Sequence, residues 1–325
     1  MHSAAIAGAS GYTGQETLDR LLLHPELEVV ALGSDTLAGQ DAAALDVRLN
    51  GTLPPFVSQA EALAAGADVT FLCLGHEEAA SVDVAGDGIV VDLSGAHRLH
   101  AAAYPAWYGF EHPTAGTLGD WSYALPELWP TAGRLISNPG CYATAALLAL
   151  APLTGAIEES GVVVDAKSGV SGAGRTPKAG SHAGFVLENL SAYKVGAHQH
   201  APEIAQALGF PVTFVPHLLP VRRGLLATCY ARAMENDLRD RLEAAYATAP
   251  AVRVLPEGVT PELARVQGTD TAEIALFEDR LTGQAIVVCA IDNLGKGAAG
   301  QAMQNANLAL GLDETLGLRL RGVLV

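Results

Sequence analysis

A short apolar strand that runs straight into three evenly spaced glycines constrains this chain more than any other feature. Ala4–Ala7 is followed by GASGYTG, with Gly8, Gly11 and Gly14 three apart. Gln15–Leu23 then carries helical periodicity, with Leu18, Leu21 and Leu22 spaced for one face. A strand, a glycine turn and a helix in that order bring bare backbone up to a pyrophosphate and aim helix N–H groups at it. The spacing is GxxGxxG rather than GxGxxG, so the pattern alone is equally that of a glycine-rich turn. Its place between strand and helix makes Gly8, Ser10, Gly11, Tyr12, Thr13 and Gly14 candidates for holding a dinucleotide. In NAD-binding folds an acidic side chain follows about 20 residues later and takes the ribose hydroxyls. Here that place falls on Gly33 or Ser34, and a small polar residue leaves room for a 2′-phosphate. The expectation is NADP with Ser34 beside it, although Asp35 is adjacent and no arginine follows closely.

The pattern continues as alternating elements. Glu28–Leu32, Asp68–Leu74 and Gly88–Leu93 read as strands, and Gln59–Ala64 and Glu77–Val84 as helices between them, which predicts a Rossmann-like, doubly wound parallel sheet. The second half differs. Gly161–Lys167, Val212–Val215, Gly224–Ala233 and Gln284–Ile291 read as longer, alternating strands of a mixed or antiparallel sheet, with helices at Leu238–Tyr246 and Gly300–Leu310. The expected class is therefore α/β with a second α+β domain. Residues 1–140 are read as the NADP-binding domain and 141–294 as the catalytic and substrate domain, with 295–325 folding back onto the first. A formal net charge of −16 disfavours nucleic acid as a partner. The start of the chain has no basic stretch, and the most apolar run, Ala143–Ile157, is broken by Pro152 and Gly155. Neither a secretory leader nor a membrane span is expected, and the reading is a cytoplasmic protein with a small-molecule substrate.

Of the four cysteines, Cys73, Cys229 and Cys289 sit in strand-like apolar runs and read as core. No cysteine or histidine spacing suggests a metal. Cys141 is different. In ISNPGCYATA (136–145), Pro139-Gly140 forces a turn, and Ala143–Leu150 is a strong helix, so Cys141 falls at a helix N-terminus. The helix dipole and its free N–H groups favour a thiolate there. A thiolate beside a dinucleotide fits the reduction of an activated acyl group through a thioester.

The stretch around Cys141 resembles the active-site signature of the N-acetyl-γ-glutamyl-phosphate reductase family of arginine biosynthesis. The resemblance extends over nearly the whole chain: GASGYTGQE (8–16), DLSGAHRL (92–99), YALPEL (123–128), KSGVSGAGR (167–175), HQHAPEI (198–204), PHLLPVRRG (216–224) and DNLGKGAAGQAMQN (292–305). It implies Cys141 as nucleophile, and His198 or His200 as the acid–base group, with His200 favoured and Glu203 orienting one of them. Such a substrate carries a carboxylate and an acyl phosphate, so Arg98, Arg175, Lys178 and Arg223 become candidate anion contacts. Asn293 is assigned to the cofactor, and a homo-oligomer is expected. The chain departs from the family's pattern at His97, where phenylalanine is frequent, at Gln199, where a basic residue is frequent, and at Ala124, where glycine is usual; none of these removes a reacting group. The related aminoadipyl-phosphate reductases, aspartate-semialdehyde dehydrogenase, and a non-catalytic dinucleotide sensor rank behind this reading.

Overall fold

The computed structural model describes residues 1–84, 86–131, 133–176 and 179–322. The chain forms two compact units. The first comprises Met1–Pro105, Phe110–Pro139 and Ala298–Leu318; the second comprises Ala106–Gly109, Gly140–Gly297 and the residues from Arg319 onward.

The first unit is built on strands β1 (His2–Ala7), β2 (Leu27–Gly33), β3 (Phe56–Val57), β4 (Val69–Leu72), β5 (Ile89–Asp92), β6 (Ser122–Tyr123) and β7 (Leu135–Ser137). They stand in the order β3-β2-β1-β4-β5-β7-β6, and every pairing is parallel. Ala4–Ala7 is fully buried, as a central parallel strand covered on both faces must be. The strand order reverses between β1 and β4, and the glycine loop leaves β1 at that switch point, where doubly wound sheets bind their ligands. The first helix spans Tyr12–Leu21, beginning three residues earlier than its apolar periodicity indicates. Leu18 and Leu21 face the core; Leu22, expected on the same face, is the cap residue beyond the helix and is 46% exposed. The C-terminal helix Gly300–Ala309 belongs to this unit and adds Ala302, Met303 and Ala306 to its core.

The second unit carries a mixed sheet of β8 (Val163–Gly169), β9 (Ser191–Ala192), β10 (Thr213–Leu219), β11 (Leu225–Arg232), β12 (Val252–Val254), β13 (Ala272–Glu278) and β14 (Gln284–Ile291). The order is β12-β13-β14-β11-β8-β10-β9; β12 runs parallel to β13 and β8 to β10, and the other pairs are antiparallel. Helix Cys141–Leu150, apolar all round and buried from Tyr142 to Leu150, packs on β11 and β14. Burial alternates along the sheet as the pleat requires. Leu225, Ala227, Cys229 and Ala231 are buried, whereas Leu226, Thr228 and Tyr230 on the other face are only half-buried. Strand β13 is not apparent from the sequence, because Glu273 stands inside it, buried and held by Arg265 Nε at 3.0 and 2.9 Å. Among the described residues no helix is long and apolar enough to cross a membrane.

Candidate active site

In the first unit the glycine loop is shaped by two contacts that forbid a side chain. Gly8 has φ +87°, and a β-carbon there would strike the Cys73 carbonyl; one on Gly14 would strike the Gly8 carbonyl and the Ala9 backbone. Gly11 is different: its φ is −72°, and its nearest neighbour, the Gly8 carbonyl oxygen, lies at an ordinary 3.4 Å. Among the described residues nothing demands a glycine at Gly11. It caps the helix Tyr12–Leu21, which has no side-chain cap and no acidic residue in its first turn. The loop's outer edge therefore offers helix N–H groups to an anion. Ser34 is buried, and its hydroxyl donates to Ser10 Oγ at 2.9 Å. Asp35 is turned away to cap another helix, its Oδ1 accepting from Gln59 N at 2.9 Å.

In the second unit Cys141 is the first residue of helix Cys141–Leu150, two residues ahead of the expected start. Gly140 caps it with extended geometry and no side-chain cap. The Gly140 N–H donates to Glu203 Oε1 at 2.8 Å, and Glu203 Oε2 lies 4.0 Å from His200 Nε2. Glu203 is buried near the start of helix His200–Leu208, so one carboxylate joins the cysteine's turn to an imidazole. Tyr142 turns its ring toward both histidines, with centroids 5.6 Å from His198 and 5.8 Å from His200. His198 is enclosed, and burial pushes its pKa down to about 3, reinforced by His200 and Lys194 and opposed by Glu203. It stays neutral and accepts the His200 backbone N–H on Nδ1 at 3.1 Å. Gly297 presses against the nucleophile's side chain, so that a β-carbon added there would lie 2.8 Å from that of Cys141. The other thiols are of another kind: burial pushes Cys73 and Cys229 up to about 12 and raises Cys289 well above its ordinary range.

The four candidate cations have separate settings. Arg175 lies exposed beyond the turn Val170–Ala173. Arg223 donates from Nε to the buried Asp292 Oδ2 at 2.6 Å. Asp292 also accepts from the backbone of Gly268, Leu294 and Gly295, so this pair shapes the loop rather than presenting a bare charge. Arg98 is buried in the first unit, its guanidinium donating to the carbonyls of Asn138 at 2.9 Å and Leu93 at 2.8 Å. Lys178 lies outside the described residues. Asn293 is enclosed in the second unit, where Oδ1 accepts from Gly224 N at 2.8 Å and Nδ2 donates to Ser171 Oγ at 3.0 Å. It thereby ties the KSGVSGAGR and PHLLPVRRG turns together.

Sequence reasoning overlooked several participants. Asn138 is held on every side: its N–H donates to the Asp92 carbonyl at 2.9 Å, its carbonyl accepts from Arg98, and its Oδ1 accepts from Asn305 at 3.1 Å. Asp92 also binds His97 Nδ1 at 2.7 Å, and His97 stacks on Trp121 at 3.6 Å. Tyr142 and Tyr193 are joined through their hydroxyls at 3.1 Å. The adjacency of Asn138 and Tyr142 to the cysteine was the available signal; Tyr193 had none.

Comparison with known proteins agrees with the motifs. The family model described as semialdehyde dehydrogenase, NAD binding domain, matches residues 3–135, and the one described as semialdehyde dehydrogenase, dimerisation domain, matches residues 141–293. The N-acetyl-gamma-glutamyl-phosphate reductase of Salinispora tropica is 45% identical over 98% of each chain. That of Rhodospirillum rubrum is 43% identical over 97% of each. Among solved structures, aspartate semialdehyde dehydrogenase II of Vibrio cholerae, complexed with ASA, superposes with a TM-score of 0.73 at 17% identity, covering 96% of this chain and 98% of that one. The Candida albicans aspartate semialdehyde dehydrogenase with NADP gives 0.63 at 18% identity, covering 95% and 100%. These two likenesses speak for the fold. The chain belongs to the semialdehyde dehydrogenase family and, within it, to the N-acetyl-gamma-glutamyl-phosphate reductases.

Proposed function

We propose that this chain reduces N-acetyl-γ-glutamyl phosphate to N-acetylglutamate semialdehyde with NADPH, through a thioester on Cys141, as a cytoplasmic step of arginine biosynthesis. The observation that carries the mechanism is the start of helix Cys141–Leu150. A thiol stands at an uncapped helix N-terminus, the N–H before it is held by Glu203, and Glu203 faces His200. The helix N–H groups favour the thiolate. Its sulfur attacks the acyl carbon, the bond from that carbon to the phosphate oxygen breaks, and phosphate leaves with the electron pair, taking a proton from solvent. NADPH, when bound, supplies the hydride that reduces the thioester carbon. His200 shares its proton with the oxygen that becomes negative and recovers it as the carbon–sulfur bond breaks and the thiolate returns. Glu203 orients His200 and holds the turn. His198, neutral and enclosed, positions rather than transfers.

The residues at the switch point fit a dinucleotide. Gly8 and Gly14 set the turn, Gly11 leaves its outer side bare, and the uncapped helix can receive the pyrophosphate. Ser34 without a carboxylate pointing beside it favours the 2′-phosphate form, because Asp35 is occupied at Gln59. Arg175 is the substrate-anion contact its exposure suits, Arg223 serves the site by holding the Asp292 carboxylate, and Arg98 holds the Asn138 carbonyl in the first unit. Two copies associate through the half-buried face of the mixed sheet in the unit matched by the dimerisation model.

Three measurements test this reading. Phosphate-dependent reduction of NADP⁺ by N-acetylglutamate semialdehyde should exceed that by aspartate semialdehyde, and NADP⁺ should be preferred to NAD⁺. Mass spectrometry of the enzyme mixed with acyl phosphate but no NADPH should show an acyl adduct on Cys141. Cys141→Ser should lose turnover while keeping its fold and NADPH binding; an active Cys141→Ser enzyme would refute the mechanism.

A further inference from the structure

His198 is enclosed by rings drawn from four places in the chain. Their centroids lie at 5.6 Å for Tyr142, 5.5 Å for Tyr193, 5.4 Å for Phe214 and 4.8 Å for His200, and each ring stands edge-on to the imidazole. Only 5% of His198 is exposed. Three of these rings are buried or fixed by the core; Tyr193 alone comes from a surface segment. That segment leaves Phe185, Leu187, Leu190 and Val195 between 55% and 67% exposed, yet turns Tyr193 inward. The hydroxyl of Tyr193 donates to that of Tyr142 at 3.1 Å, which donates to the His217 carbonyl at 3.0 Å. Its N–H donates to the Pro216 carbonyl at 3.1 Å.

Seating Tyr193 has a conformational cost. Glu188 and Lys194 are the only non-glycine residues at positive φ among those described, at 59° and 46°, and they bracket it. Such strain persists only where surrounding contacts over-determine it, and it gathers at functional sites. Lys194 is held by Nζ donating to Gln199 Oε1 at 2.9 Å, and β9 fastens the segment to β10.

We propose that Tyr193 is a positioning residue for the reaction assigned above: it closes the aromatic wall around His198, so that His200 is the only imidazole of the HQH motif that exchanges protons beside Cys141. The inference rests on that assignment of Cys141 and His200. Two imidazoles two residues apart would otherwise compete for one proton, because each charged ring disfavours the other. Burial in a wall of rings removes one of them from the competition. The groups facing His198 are His200 and Glu203 from its own helix start, Lys194 and Tyr193 from the strained segment, and Tyr142 from the nucleophile's helix.

The test compares Tyr193→Phe, Tyr193→Ala and Tyr193→Leu with the parent enzyme, reading imidazole NMR titrations between about pH 5 and 9 and kcat and KM across the same range. In the parent and in Tyr193→Phe, His198 should not titrate, and the pH profile of kcat should be the same. In Tyr193→Ala, His198 should begin to titrate in that window, and kcat should fall several-fold with an added ionisation and an unchanged KM for NADPH. Tyr193→Leu, which restores an apolar wall, should return both towards the parent, and Tyr193→Ser, which opens the wall as alanine does, serves if the alanine variant fails to fold. A silent His198 and an unaltered pH profile in a folded Tyr193→Ala or Tyr193→Ser enzyme would overturn the proposal. The titration decides this point even if Cys141→Ser showed the thioester reading to be wrong, so the two failures are distinguishable.

Discussion

At the scale of single residues, the enclosed histidines make this protein acid-sensitive. His198 titrates at about 3 when folded, because burial disfavours its charged form, against an ordinary 6.5. Burial lowers His24 and His112 in the same direction. The sign follows from proton uptake. As the pH falls below the ordinary histidine range, the unfolded chain binds protons that the folded chain refuses. The stability linked to these groups is therefore fully present above about pH 6.5 and lost as the pH falls through each folded value. Each refused proton contributes up to ~1.4 kcal/mol per pH unit. Urea unfolding at a series of pH values should show stability falling from neutrality toward acid, with a shallower fall in His198→Gln. Equal slopes in parent and variant would show that His198 is not enclosed in solution. Which of the two histidines is enclosed was not legible in the sequence, since the HQH spacing says nothing about Tyr193 and Phe214, which approach from other parts of the chain. His200 as the acid–base group stays a proposal, argued from the enclosure of His198 and from Glu203 lying near His200.

At the scale of elements, the glycine loop separates two kinds of necessity. Gly14→Ala places a methyl group against the Gly8 carbonyl and the Ala9 backbone, and backbone cannot yield as a flexible side chain can. Overpacking of this sort typically costs about 1–3 kcal/mol. Gly11→Ala has an ordinary φ and an ordinary contact, so the fold should be kept while NADPH binding weakens, because the new methyl group stands where the pyrophosphate approaches. Melting temperature and NADPH affinity, measured on both variants, check this. A Gly11→Ala enzyme with parental affinity would mean that the dinucleotide lies elsewhere. The strand–loop–helix order was legible because its signals are local. Element starts were less so: Tyr12, Thr13 and Gly14 belong to the first helix, but glycine and β-branched residues are weak helix formers and conceal its opening turn. Strand β13 was hidden by the same kind of conflict, since buried Glu273 breaks an apolar pattern that only Arg265, brought in by the fold, makes tolerable.

At the scale of the whole molecule, alternation along the mixed sheet leaves a face that the chain itself does not finish. Strand register aligns Phe277, Ile286, Tyr230 and Val163 across β13, β14, β11 and β8, and all four are half-buried. The opposite face, through Val164, Cys229 and Val287, is closed. The sequence showed the strands' alternation but not their order, and without the order no patch can be read. A row of aromatic and branched side chains across four strands, bordered by the polar Asp165, Lys167 and His217, has the composition of an interface: an apolar centre with a charged rim. In the assembly proposed above, a second copy is the occupant that supplies the same patch in return, since a two-fold axis makes one surface its own complement. If that assembly forms, Ile286→Lys and Tyr230→Glu should each convert it to monomers by sedimentation velocity, because a charge desolvated at the centre of an apolar contact has no partner there. Neither side chain reaches the core, so far-ultraviolet dichroism should be retained. Double substitution should add nothing once the assembly is dissociated. If both variants sediment as the parent does while remaining folded, the half-buried sheet face is not where the copies meet.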